Sequence, residues 1–113
     1  MAHEVERQWK QEYADRLRAD FPHQTASISA AALWEMIDDG WKNAIELQIK
    51  EHDDIYRFLK LRFLPITLLE SDFIQSVLIR VLNNIDLPGA KRLDFIESQV
   101  IKPRLPDNAA LGS

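Results

Sequence analysis

His52, Asp53 and Asp54 stand together in the stretch KEHDDIYRFLKLRFLP, residues 50–65, the densest run of ionisable chemistry in the chain. An imidazole beside carboxylates can hold zinc or iron, or pass a proton. Metal centres take about three or four ligands at usable spacing, and three consecutive residues on a helix point in different directions. The other histidines, His3 and His23, fall near the N-terminus and in a connection. The bland alternative is a helix start, where Asp53 and Asp54 complement the positive end of the macrodipole and Asp53 caps free N–H groups. A second acidic pair, Asp38-Asp39 with Glu35 nearby, also diverges on a helix and has no calcium-loop spacing. No serine lies in a G-x-S-x-G setting, no glycine-rich loop cradles a phosphate, and cysteine is absent. The sequence therefore predicts no catalytic residue, no metal ligand and no cofactor.

The elements that position these residues follow from bulk properties and periodicity. A chain of 113 residues is long enough for one domain with a real core. A hydrophobic fraction of 46% and a charged fraction of 28% are ordinary for a globular protein. The formal charge of −4, from 14 basic and 18 acidic residues, argues against nucleic acid as the partner. The charged start MAHEVERQWKQEYADR has no secretory pattern. No apolar run approaches the roughly 20 residues of a membrane span. Together with the lack of cysteine, these features predict a soluble, cytoplasmic protein.

Val5, Trp9, Tyr13 and Leu17 recur at helical spacing, and the Phe21-Pro22 step ends that helix. PHQTAS then reads as a polar connection with Thr25, Ser27 and Ser29 as available caps. A central helix is predicted from about Ala30 to Ile49, with Leu33, Ile37, Ala44 and Gln48 along one side and Trp34, Trp41 and Ile45 beside them. Gly40 inside it suits the close approach of another helix. A third helix is predicted from about Asp53 to Leu64, with Ile55, Phe58, Leu59 and Phe63 inward and Arg57, Lys60 and Arg62 outward. LPITLLES is an apolar connection, and Ser71 caps a fourth helix whose buried stripe is Phe73, Ile74, Val77, Leu78, Val81 and Leu82. Asp86 or Leu87 caps a fifth, with Pro88 early in it and Leu93, Ile96 and Val100 inward, stopped by Pro103 and Pro106. The expectation is an all-α, single compact bundle-like domain of about five helices over residues 1–103, followed by a flexible tail over 104–113.

Without chemistry, the remaining resource is surface. Trp9 and Tyr13, on the terminal helix, are predicted to be partly exposed, whereas Trp34 and Trp41 read as core. Ile66, Leu68 and Leu69 either tuck into the core or leave an apolar patch. Lys91 and Arg92 sit at an interface rim or simply at a helix end. These seven residues, Trp9, Tyr13, Ile66, Leu68, Leu69, Lys91 and Arg92, are the partner-binding candidates.

The order of features resembles a family of small helical proteins encoded in bacterial type VI secretion effector clusters, beside spike-tip (PAAR) proteins and effector adaptors. The residues that carry the likeness are Phe21-Pro22, then Ile37, Gly40 and Ala44, then Asp54, Arg57, Phe58 and Leu61. Phe73, Val81-Leu82-Asn83 and Leu87-Pro88-Gly89-Ala90-Lys91 complete it. Departures are Gln48 and Pro65, where that family tends to have glycine, and Gln75-Ser76, where a tryptophan is common. The resemblance implies an all-helical fold, no enzymatic activity, and a role as co-chaperone or adaptor partner in loading or regulating an effector in the bacterial cytoplasm. The partner would be an effector adaptor, chaperone or effector. The alternative is an immunity protein that neutralises a toxin, whose usual mark is a strongly acidic face. A third class, a small metal-dependent hydrolase centred on His52, would show stoichiometric metal. Oligomeric state is left open.

Overall fold

The computed structural model describes residues 2–104, with the side chains of residues 2–7 and of Ile66 excepted. The expectations for the tail beyond Arg104, for Pro106 and for the side chains of Val5 and Ile66 lie outside the described residues. Seven α-helices occur among the described residues, in the order α1 (Ala2–Asp20), α2 (Pro22–Thr25), α3 (Ala30–Glu46), α4 (His52–Lys60), α5 (Ile66–Leu69), α6 (Asp72–Leu82) and α7 (Gly89–Phe95). A 3-10 turn, Leu61–Phe63, prolongs α4. A π-helical segment, Ile96–Ile101, and a 3-10 turn, Lys102–Arg104, prolong α7. No strand occurs among these residues. The five longer helices match the five predicted from periodicity, and the fold is all-α.

The chain stops and restarts where local chemistry requires it. α1 ends at the Phe21-Pro22 step, and Pro22 opens the single turn of α2. Arg18 fastens that turn to α1 by donating to the Thr25 and Ile28 carbonyls at 3.0 Å each. Of the three candidate caps it is Ser29 that caps α3, its hydroxyl accepting from the Ala32 N–H at 3.1 Å. Thr25 is buried instead, and its hydroxyl donates to the Phe21 carbonyl at 2.8 Å.

α3 is three residues shorter than predicted. The Ile49 N–H donates to the Ala44 carbonyl at 2.8 Å and the Gln48 N–H to that of Ile45 at 3.0 Å. This is a Schellman closure, with Gln48 at φ 62° in the left-handed region. Gln48 therefore leaves the helix and is exposed, whereas Ile49 turns back into the core. Ser71 caps α6 as predicted, accepting from the Ile74 N–H at 3.2 Å. At α7 the cap position belongs to Pro88, expected inside the helix, rather than to Asp86 or Leu87.

α1 packs on α3, α3 on α4, α4 on α7, and α6 on α7 and the π segment. The shared core includes Leu17, Leu33, Ile37, Ala44, Ile49, Ile55, Leu59, Leu93 and Ile96. Gly40 lies at the contact of α3 with α4, and a Cβ there would run into the Leu59 side chain. The expectation of a close helix approach at this glycine is met. The π segment closes i→i+5 bonds and is wider than an α-helix, and it buries Ile96, Val100 and Ile101. LPITLLES is not a plain connection: α5 forms one turn within it and buries Leu68.

Candidate functional site

The His52-Asp53-Asp54 trio begins α4 and diverges as three consecutive helical residues should. The His52 ring meets Trp9 edge-on at 3.9 Å between centroids, Asp53 is exposed 3.7 Å from Arg16, and Asp54 turns to Arg57 at 3.2 Å. Asp53 does not cap: the cap residue is Glu51, which makes no side-chain capping bond. Both aspartates do occupy the first turn, where they complement the dipole. Among the described residues no group of three or more His, Asp or Glu is placed to hold a metal ion.

Arg57, predicted to point outward, instead ties α4 to the C-terminal helices. Its guanidinium donates to Glu97 at 2.8 Å, to Asp94 at 2.6 Å and to Asp54 at 3.2 Å. Burial opposes its charge, but the hydrogen bonds it donates to Glu97 and Asp94 outweigh that effect and raise its pKa. Asp38 receives Lys10 at 2.5 Å and Lys42 at 2.9 Å, and these bonds, Lys10 first, hold its carboxyl below the usual range. In both clusters the charges are tied to opposite charges within the fold.

The seven partner-binding candidates do not converge on one surface. Trp9 is half-buried against His52, whose backbone carbonyl accepts the Tyr13 hydroxyl at 3.3 Å. Tyr13 is only 3% exposed, which corrects the expectation of a partly exposed side chain. It stacks on Tyr56 of α4, with 6.1 Å between the ring centroids. Leu68 is buried and Leu69 half-buried against the core, so the tucked reading of that connection holds for both. Lys91 is exposed. Arg92 is the second correction. It is 1% exposed and cannot form a rim. Its guanidinium donates to the Leu82 carbonyl at 2.6 Å and to the Leu87 carbonyl at 3.0 Å, closing the end of α6 and the turn after it.

The surface that is available lies elsewhere. Six large apolar residues are exposed among the described ones: Ile45, Phe73, Ile79, Ile85, Leu87 and Phe95. Phe73 and Ile79 are 63% and 60% exposed, which corrects the placing of Phe73 in the buried stripe of α6. Ile79 borders an open groove of about 230 Å³, lined also by Asn43, Glu46, Leu47, Phe58, Leu82 and Asn83. The last turn and cap of α3 form one wall, the last turn and cap of α6 another, and Phe58 of α4 lies between. The groove thus has an apolar lining of Leu47, Phe58, Ile79 and Leu82 with amides and one carboxylate at its edges. A signal for it existed in the sequence. Apolar residues of α6 cover more than half its circumference, and Ile79 falls outside the stripe that buries Ile74, Leu78 and Leu82.

No helix of the described residues is long and apolar enough to cross a membrane. Comparison of the chain with protein-family models, with characterised proteins and with solved structures returns no match.

Proposed function

We propose that the chain is a non-catalytic protein-binding accessory factor that acts as a co-chaperone or adaptor partner in loading or regulating a type VI secretion effector. The observation that carries the binding role is Ile79, a large apolar side chain left 60% exposed at the lip of an apolar groove. Exposed apolar surface gathered at a concavity marks a place for a partner far better than scattered exposed residues do. The ionisable clusters, by contrast, are consumed in holding helices together.

The choice of partner rests on the sequence resemblance. One departure from that family has a physical bearing on it. Gln48 stands where glycine is common, and its backbone occupies the left-handed region that glycine fills without strain. The local geometry is therefore of the kind the family's residue would favour.

The test is affinity purification of the tagged full chain from its native cell, with mass spectrometry of what co-elutes. An effector adaptor or effector precursor is expected with the wild type and is depleted at least about tenfold by Ile79→Ser, since the exposed residue leaves the core untouched. Trp9→Ala is a poorer probe, because it also removes the contact with His52. Equal recovery with Ile79→Ser removes the proposed surface. Co-elution of a toxin, with protection of cells expressing it, replaces loading with immunity.

A further inference from the structure

The groove has an electrostatic sign as well as an apolar lining. α3 ends in it without a basic residue in its last turn, so beyond the backbone closure no cation of that turn offsets the negative end of its macrodipole. Lys42, one residue earlier, turns back to Asp38 at 2.9 Å. Glu46 adds an exposed carboxylate to the same wall, and no ion pair to it occurs among the described residues. The opposite wall differs. The end of α6 is compensated from inside by Arg92 on the Leu82 carbonyl, and Arg80, in its last turn, does not line the groove. The result is a concavity with an apolar floor and a negative flank on one side only.

We propose that this groove receives a basic amphipathic helix of the partner protein, with an apolar side chain seated against Leu47, Phe58, Ile79 and Leu82 and a lysine or arginine at its flank paired with Glu46. The proposal rests on the reading of the chain as a protein-binding module and assigns that module its ligand chemistry. A helix suits the site because ridges of one helix fill grooves between others. The described residues offer no strand edge to which an extended peptide could add. Asn43 and Asn83 line the groove too; the Asn83 amide nitrogen donates to the Ile79 carbonyl at 2.7 Å, which leaves its side-chain oxygen and the Asn43 amide for polar residues of the incoming helix.

The test uses two synthetic amphipathic peptides with the same leucine positions, one with lysine at every polar position and one with glutamate. Each is titrated against the full chain by fluorescence anisotropy, and amide shifts are mapped by NMR. The leucine–lysine peptide is expected to bind, moving the amides of Asn43–Leu47 and Ile79–Asn83, and the leucine–glutamate peptide to bind at least about tenfold more weakly. Glu46→Lys is expected to weaken the lysine peptide at least about tenfold, and Ile79→Ser likewise. Glu70→Lys changes net charge equally on an exposed site away from the groove and is expected to cost less than about twofold. Equal losses in Glu46→Lys and Glu70→Lys, equal binding of the two peptides, binding of neither, or shifts confined to another face each overturn the proposal. The two readings fail separately. A native complex that still depends on Ile79 when the peptides show no charge preference overturns the basic helix alone, whereas a native complex indifferent to Ile79→Ser removes the binding surface itself.

Discussion

Arg92 carries a full charge into a place with almost no solvent, and its two described hydrogen bonds go to backbone carbonyls rather than to a carboxylate. Such a group contributes by satisfying acceptors that the end of α6 and the following turn would otherwise leave bare. Arg92→Met keeps most of the volume but strands the Leu82 carbonyl, so a loss of about 2–4 kcal/mol is expected, read as a lower urea midpoint with an unchanged slope. A change below about 1 kcal/mol would mean that water or a neighbour replaces the guanidinium at little cost. The same residue shows why sequence reading failed here. A charged side chain next to Lys91 is expected outside on base rates, and only the position of two carbonyls, at residues 82 and 87, explains its burial. Arg57 was misjudged for the same reason, since its partners Asp94 and Glu97 are far along the chain.

At the scale of the helices, legibility tracks length. α1, α3, α4, α6 and α7 all announce themselves by period and by caps such as Ser29 and Ser71, because several turns of repeating pattern leave little choice of face. The single turns α2 and α5 carry too few residues to show a period, and the π segment adds one residue that no stripe anticipates. Periodicity marks Ile79 as an apolar residue outside the buried stripe of α6, but the groove beside it depends on how the ends of α3 and α6 sit with Phe58, which the pattern of one helix does not encode. Gly40 was legible because glycine inside a helix costs about 1 kcal/mol of propensity and needs a reason. Gly40→Ala tests that reason. It gains that propensity yet drives a methyl into Leu59, and the clash dominates, so net destabilisation of about 1–3 kcal/mol is expected by urea unfolding. Adding Leu59→Ala should make the combined loss smaller than the sum of the single losses. Strict additivity would place the cost of Gly40→Ala elsewhere.

For the whole molecule, Tyr13 and Tyr56 join α1 to α4 and couple the stability of the fold to alkaline pH. Burial pushes the Tyr13 phenol up to about 12, with Arg16 opposing and Glu12 and Asp53 assisting. Burial likewise raises Tyr56, helped by the bond its hydroxyl donates to Asp20 at 2.6 Å. A raised pKa in the folded state means that the unfolded chain releases these protons first. Their contribution is therefore complete below the ordinary tyrosine value near 10 and is lost as pH climbs toward the folded value. Urea unfolding from pH 9 to 11.5 should show stability falling, and the fall should be shallower when both tyrosines are phenylalanine. Parallel curves would deny the linkage. α4 also has a consequence for how the chain is made. Its partners lie on both sides of it in sequence: α1 and α3 leave the ribosome before it, and α7 after. Until residues 52–63 emerge, α3 has α1 but not α4 to pack on, and the notch at Gly40 lacks Leu59. The first half of the nascent protein must wait, partly uncovered, for the segment that completes it. A ribosome slowed while residues 52–63 are still inside its exit tunnel would lengthen that vulnerable interval, and one slowed after they have emerged would not.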